Sequence, residues 1–316
     1  MPQPRDTLTP DALAMLDAID RYGSFAAAAR ALGQVPSALS YRVRQLEESL
    51  DVLLFDRSSR QAKLTPAGQA LLSEARRILQ DLDAVSSRIR RIATGWESKL
   101  TLAYDTIVCK EVLLDLCAQF DALSPPTQIR LQQETLHGTF NALVTGQADL
   151  AVGVSAESAD LTRVSHQFLG QVEFVFAVAP HHPLAKMGSP LSDEQIKAHR
   201  AVAVADSAPI GLDVTVGLLP GQQVLTVSSM SDKIQAQLRG LGAGFLPLAR
   251  IREHLVSGSL VLCHTQRPSR QVSLHCAWAT VAESQQGLAL SWWRQQLLQD
   301  RTREALLGNL AQERTT

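Results

Sequence analysis

The stretch SFAAAARALGQVPSALSYRVRQLEESLDVLLFDRSSRQAKLTPAG, residues 24–68, decides how the front of this chain folds. Ser24 caps the alanine-rich run Phe25 to Leu32, which Gly33 closes, and the small side chains let another helix approach closely. The helix that follows, about Pro36 to Leu50, is amphipathic at roughly 100° per residue. Leu39, Val43, Leu46 and Leu50 share one face, and Ser37, Ser40, Tyr41 and Arg44 share the opposite one. A short helix, a glycine turn and a second helix offering Ser, Tyr and Arg from its first turns are what a major-groove recognition helix requires. An ordinary solvated face has the same composition, so this helix alone leaves both readings open.

The flanks favour the first reading. Val52-Leu53-Leu54-Phe55 reads as a short strand, Asp56-Arg57-Ser58-Ser59-Arg60 as a turn, and Gln61 to Thr65 as its returning partner. Arg57, Arg60 and Lys63 thus gather at a wing, where cations meet phosphates or a minor groove; a purely structural hairpin does not need three of them. Upstream, Leu13, Leu16 and Ile19 line an amphipathic helix over 11–22, started by Thr9-Pro10 and stopped by Gly23.

Downstream of Pro66 an uninterrupted helical run reaches about Ala93. Leu71, Ala75, Ile78, Leu82, Val85, Ile89 and Ile92 recur at alternating steps of four and three, a heptad seam. Such a seam predicts pairing of two chains, which places two reading heads on a two-fold DNA site; a long helix packed on its own domain is the alternative. Gly95-Trp96 ends it.

Composition bounds the rest. The chain has 316 residues, 45% hydrophobic and 19% charged, enough for two or three compact units with a core. Net charge is −1, so nucleic-acid binding must rest on the distribution of charge: residues 1–95 carry 13 Arg and Lys against 11 Asp and Glu, and the remainder 17 against 20. No leader-like start and no apolar run near roughly 18 residues is present, so a cytoplasmic location without membrane contact is expected. Cys109, Cys117, Cys263 and Cys276 are scattered and read as buried thiols, with a redox pair of Cys263 and Cys276 as an alternative. His181-His182 reads as a loop leaving a strand rather than as a metal site, and no cofactor or metal is expected.

Taken in order, Ser24-Phe25-x-x-Ala28-Ala29-x-x-Leu32, Ala38-Leu39-Ser40, Leu46-Glu47, Leu54-Phe55-x-Arg57 and Leu64-Thr65-Pro66-x-Gly68 resemble the signature of LysR-type transcriptional regulators. The resemblance is close over residues 9–93 and holds by pattern over the remainder. It implies that Ser37, Ser40, Tyr41, Arg42, Arg44, Arg57 and Arg60 read DNA, with Ser24 and Lys63 beside them, and that dimers associate further into a tetramer. Two departures bear on base preference: the family usually has Gln-Pro at the start of the recognition helix and a basic residue after the central Ser, where this chain has Pro36-Ser37 and Tyr41. A tyrosine hydroxyl can reach a phosphate or a base, but it cannot make the bidentate guanine contact of Arg.

From Leu100 onward the pattern alternates. Leu100 to Ala103, Gln128 to Glu134 and Asp149 to Val154 read as strands, with helices over Lys110 to Leu123 and Thr139 to Thr145 between them. This β-α-β-α-β order predicts a mainly parallel sheet with ligands at its carboxyl edge. Val172 to Ala179, Arg200 to Ala205 and Val224 to Val227 read as strands of a second unit, with a helix over Ser231 to Leu241 and a turn-strand-turn at Gly242 to Pro247. A last strand, Ser273 to Ala279, and a helix, Gln285 to Leu298, return to the first. Two such lobes resemble the family's effector domain, which is similar in fold to periplasmic solute-binding proteins.

The expected architecture is therefore α/β behind an all-α, winged N-terminal domain: a winged helix-turn-helix over 1–65, a linker and dimerisation helix over 66–95, and an effector-binding domain over 96–316. Lobe one is expected at about 96–163 and 270–300, and lobe two at about 164–269. The resemblance places effector contacts in the loops after the strands, at Asp105, Thr106, Leu136, His137, Ala205, Asp206, Ser229 and Met230. Helix-start amides and Thr106 suit a carboxylate, Leu136 and Met230 an apolar or aromatic body, and His137 a pH-sensitive contact; capping by Thr106 and Ser229 is the structural alternative. The chain shows no G-x-S-x-G elbow, P-loop, H-E-x-x-H or dinucleotide glycine pattern, which argues against an enzyme. A regulator whose promoter binding is controlled by a small molecule is the expectation, and a sensor that does not bind DNA, or one that responds through its cysteines, is the alternative.

Overall fold

The computed structural model describes residues 4–56, 62–157, 159–208, 217–280 and 286–308. The chain divides into two compact units, Met1–Ala93 and Thr94–Thr316.

The first unit opens with α1 (Pro4–Thr7), α2 (Pro10–Tyr22), α3 (Phe25–Ala31) and α4 (Pro36–Leu50). Thr9 and Ser24 cap α2 and α3 by accepting from the backbone N–H of Ala12 and Ala27. Gly23 stops α2 in the left-handed region at φ 69°. Met15, Leu16 and Ile19 of α2 pack on Ala28, Ala29, Leu39, Val43 and Leu46, and Phe55 completes this core edge-on to Phe25. Buried Glu47 ties α4 to the hairpin, its carboxylate accepting from the N–H of Leu54 (2.8 Å) and Phe55 (3.3 Å). Among the described residues the expected strand over 52–55 is one bridge, Phe55 to Leu64, with Val52 and Leu53 exposed. Arg57 and Arg60, at the expected wing tip, lie outside the described residues.

Helix α5 (Pro66–Thr94) begins with a physical reason for its Thr-Pro-x-Gly start. The Thr65 hydroxyl accepts from Gly68 N–H (3.0 Å) and donates to Leu53 C=O (2.7 Å). A Cβ on Gly68 would stand 2.1 Å from the Leu54 carbonyl oxygen, so glycine lets α5 approach the hairpin. Arg76 reaches back to Asp17 (2.7 Å) and Asp20 (2.9 Å) on α2. The heptad seam splits in two. Leu71 and Ala75 pack within this unit, whereas Ile78, Leu82, Val85, Ile89 and Ile92 are exposed, from 41% at Ile78 to 74% at Ile92.

The second unit runs β1 (Lys99–Asp105), α6 (Lys110–Asp121), β2 (Gln128–Glu134), α7 (His137–Val144) and β3 (Leu150–Ser155), then β4 (Ser165–Val178), α8 (Asp193–Lys197), β5 (Ala201–Val204) and β6 (Val224–Val227). It continues with α9 (Met230–Leu238), β7 (Gly244–Pro247), α10 (Leu248–Val256), β8 (Val261–Leu262), β9 (Arg270–Trp278), α11 (Leu288–Leu297) and α12 (Asp300–Leu306). The main sheet has the order β2-β1-β3-β9-β4-β7, with β8 on β4, and β5 and β6 form a parallel pair joined to the β7 side by the bridge Ala201 to Ala243. The expectation of a mainly parallel sheet needs correction. In the main sheet β2-β1-β3 pair parallel, as do β5 and β6 in theirs, and every pairing of β9 and β4 is antiparallel.

The cause is β4, which begins at Ser165 rather than Val172 and runs for 14 residues. Its first part pairs with β9 in lobe one, from Ser165 to Phe174, and its last part pairs with β7 and β8 in lobe two. These crossing strands connect the lobes. Lobe one is built on Leu100, Leu102, Leu113, Phe120, Val152, Leu274 and Trp293, and Leu306 of α12 joins the same core, so this lobe reaches past residue 300. Glu97, buried, accepts from the N–H groups of Ala289 and Leu290 and anchors the start of α11. Lobe two packs Phe176, Leu184, Leu191 and Ile196 in one cluster, and Ala177, Val204, Ile234, Leu246 and Ile251 in another.

Candidate functional site

On α4 the buried and exposed faces separate by residue. Leu39, Val43 and Leu46 are buried, while Ser37, Ser40, Tyr41 and Arg44 are exposed and Arg42 is half-buried. Tyr41, 62% exposed, accepts from the Gln45 side chain (3.1 Å), and the Ser40 hydroxyl donates to Pro36 C=O (3.0 Å). Arg44 has no ion pair among the described residues. Lys63 is exposed beside the hairpin, and Ser24 is occupied as the α3 cap. An exposed hydroxyl, a phenol and a guanidinium along the front of one helix form a surface fit for base edges and phosphates.

The second site lies between the lobes at the carboxyl ends of β1, β2 and β5. The loop residues named from sequence meet there in pairs. Asp105, closing β1, accepts from Ile107 N–H (2.8 Å) through one oxygen and from Leu136 N–H (2.8 Å) through the other. Leu136 adopts φ 52°, a strained value for a branched residue, and the Asp105 contact holds it there. His137 Nδ1 lies 2.6 Å from Asp206 Oδ2 of lobe two. Thr106 accepts from Met230 N–H across the lobes at 3.2 Å. It therefore bridges the lobes and does not cap α6, whose N-cap is Cys109. Ser229 does cap α9, accepting from Asp232 N–H.

Four further residues complete the junction. The Thr135 hydroxyl donates to Ala205 C=O (2.6 Å), and the Ser207 hydroxyl accepts from Thr135 N–H (2.9 Å) while donating to the Glu134 carboxylate. Arg250 of α10 donates to Thr106 C=O (2.8 Å) and to Ser231. Thr135 and Ser207 adjoin residues that the strand pattern singles out; Arg250 and Glu134 carry no sequence signal of their own. Gly138 is required here, because a Cβ would fall 1.9 Å from Ser207 Oγ. Burial pushes the Asp105 carboxyl up to about 7, its two backbone N–H donors oppose the rise, and the charges of Asp206 and Glu134 add to it.

Cys263 packs beside the Phe176 cluster of lobe two and Cys276 within the core of lobe one, so the two thiols occupy different cores. Both are raised by burial, Cys276 to about 12, which suppresses the thiolate that redox chemistry needs. His182 is buried and accepts from Leu184 N–H. Among the described residues no group of three His, Cys, Asp or Glu side chains is arranged to hold a metal, and no helix is long and apolar enough to cross a membrane.

One unit thus presents a helix with an exposed polar face, and the other a two-lobed α/β fold. Residues 10–69 match the bacterial regulatory helix-turn-helix protein, lysR family, and residues 93–301 match the LysR substrate binding domain. The chain belongs to the LysR family of transcriptional regulators, whose members are not enzymes. It is 36% identical to the uncharacterized HTH-type transcriptional regulator YeeY of Escherichia coli K12 over 91% of this chain and 92% of that one. It is also 36% identical to the probable HTH-type transcriptional regulator YhaJ of the same strain, over 90% and 94%. Among solved structures it is similar in fold to full-length CbnR complexed with its target DNA, with a TM-score of 0.57, 18% identity and coverage of 91% and 98%. The Vibrio cholerae virulence activator AphB is likewise similar, at 0.53 and 18%, covering 91% and 97%.

Proposed function

We propose that this chain is a promoter-binding regulator controlled by a small molecule held between its lobes. Ser37, Ser40, Tyr41, Arg42 and Arg44 of α4 read DNA, assisted by Lys63, Arg57 and Arg60 of the wing and by the Ser24 end of α3. The exposed stretch from Ile78 to Ile92 pairs with the same stretch of a second copy, because five large apolar side chains left in water at heptad spacing are stabilised by burial against one another. Such dimers pair further into a tetramer in the cytoplasm.

The observation that carries the sensor reading is the set of direct bonds across the cleft, His137 to Asp206 and Thr106 to Met230. A ligand that enters among Asp105, Thr106, Leu136, His137, Ala205, Asp206, Ser229 and Met230 replaces these bonds and so shifts the balance between lobe arrangements. The test begins with thermal unfolding of the full chain against a library of carboxylates, aromatics and amino acids, since a ligand at 100 times its Kd adds about 2.7 kcal/mol. With the hit in hand, Arg44→Ala weakens promoter binding in a gel shift and leaves effector affinity intact, while Thr106→Val does the reverse. Equal damage to both activities by both variants overturns the two-module reading.

A further inference from the structure

Lys233 sits in α9, one helical turn beyond Met230, and is only 8% exposed. Its side chain has no hydrogen bond and no ion pair among the described residues. In this it differs from the other buried charges: Glu47 accepts from two backbone amides, Glu97 from two at the start of α11, and Asp105 from two at the cleft. Burying an ammonium with nothing to compensate it costs several kcal/mol, and an apolar side chain of the same length would be the more stable choice.

Among the described residues no acid pairs with Lys233. Gly244 of β7 leaves open the space against which the lysine chain lies, since a Cβ there would come 3.5 Å from Lys233 Cε and 3.1 Å from the Gln237 amide. That Cβ would also lie 3.4 Å from the Val202 carbonyl oxygen of β5. On α9 itself the nearest acid in sequence, Asp232, is engaged by Ser228 and Ser229. Burial brings the Lys233 ammonium down to about 8. Helical Cα–Cβ bonds tilt toward the N-terminus, which for α9 is the end where Met230 N–H reaches Thr106.

We propose that Lys233 is the docking point for an oxyanion, carboxylate or phosphate, carried by the effector and seated beneath α9 in lobe two. The proposal rests on the reading of the cleft as an effector site and specifies the charge of what enters it. Three donors on a short-reach ammonium match one anionic oxygen group, and neutralising it removes the desolvation penalty that the free protein carries.

The test is thermal unfolding of the full-length protein at pH 7 with acetate, benzoate, malonate or inorganic phosphate, and with neutral benzamide as control. The expected result is a rise in Tm with at least one oxyanion and none with benzamide; the carboxylate and phosphate arms tell the two sources apart. The rise is lost in Lys233→Met, restored in Lys233→Arg and weakened in Thr106→Val. Anion affinity falls about tenfold between pH 7 and pH 9 as the ammonium loses its proton. Lys233→Met itself unfolds at a temperature no lower than the wild type, which shows that the lost response is not lost folding. An oxyanion effect of equal size in Lys233→Met overturns the assignment and leaves the cleft reading standing, as does protection by benzamide alone. No protection by any of the four anions also overturns it. Protection lost in Lys233→Met but untouched by Thr106→Val keeps the anion site and removes the cleft reading.

Discussion

His137 Nδ1 and Asp206 Oδ2 lie 2.6 Å apart, joining the first turn of α7 in lobe one to the loop after β5 in lobe two. The Asp206 carboxylate is almost fully buried and the imidazole mostly so, which limits solvent screening of the pair. Removing Asp206 takes from the imidazole its partner in lobe two, and removing His137 leaves the buried carboxylate with the Ala208 N–H (3.0 Å) on its other oxygen. His137→Ala and Asp206→Ala are each expected to destabilise the effector domain by about 1–3 kcal/mol. In urea unfolding the double variant loses less than the two singles together, by more than about 0.5 kcal/mol of coupling. Strict additivity would show that the contact does not hold the lobes.

Asp105 gives the cleft a pH dependence with a defined sign. Its folded pKa, about 7, is above the ordinary carboxyl value, so its contribution to stability is present at low pH and is lost as pH rises toward about 7. Wild-type stability therefore carries a downward component between pH 4 and pH 7 from this group, whose cause is burial first and the neighbouring Asp206 and Glu134 charges after it. Asp105→Asn removes that component, and the difference between its unfolding curve and that of the wild type narrows as pH rises to 8. Its amide has one acceptor oxygen, and the NH2 that replaces the other faces the N–H of Ile107 or Leu136, so the variant is less stable than wild type at pH 5. A wild-type to variant difference that stays constant from pH 5 to pH 8 would refute the assignment.

In the first unit buried Glu47 ties α4 to the hairpin. Its carboxylate is the acceptor for the buried N–H groups of Leu54 and Phe55, which start the hairpin. Glu47→Ala strands both donors and is expected to cost about 2–4 kcal/mol, read as a lower Tm of the first unit and a loss of promoter affinity. Glu47→Gln keeps an acceptor oxygen and loses less. Equal losses in the two variants would mean that charge, and not acceptance from the hairpin, is what Glu47 supplies.

The exposed part of α5 predicts an association state. Val85→Lys with Ile89→Lys places two charges in the seam and leaves the packed positions Leu71, Leu72 and Ala75 untouched. The variant is expected to sediment as a monomer while keeping its helical content, and to bind a two-fold promoter site about as weakly as a single half-site. An unchanged sedimentation coefficient would assign dimerisation to another surface.

Much of this architecture follows from local patterns. The boundaries of α4 and β2 fall where the sequence places them, because Pro36 opens a helix and the alternation of 128–134 has one strand register. The heptad spacing of α5 is equally local, yet only the packed structure separates Leu71 and Ala75, held within the first unit, from Ile78 onward, left exposed. Tertiary structure decided the sheet direction too, since β9 and β4 pair antiparallel across a chain separation no periodicity can report. His137 and Asp206 are 69 residues apart, and Thr106 and Met230 are 124 apart. Both pairs exist because two crossing strands fold the lobes against each other. Lys233 is the sharpest case: a lysine on an amphipathic helix reads as solvated, and only the sheet packed against α9 turns it into a buried cation with no partner among the described residues. Hydrogen-bond partnership and desolvation depend on what the rest of the chain brings near, so they belong to the fold and not to the residue.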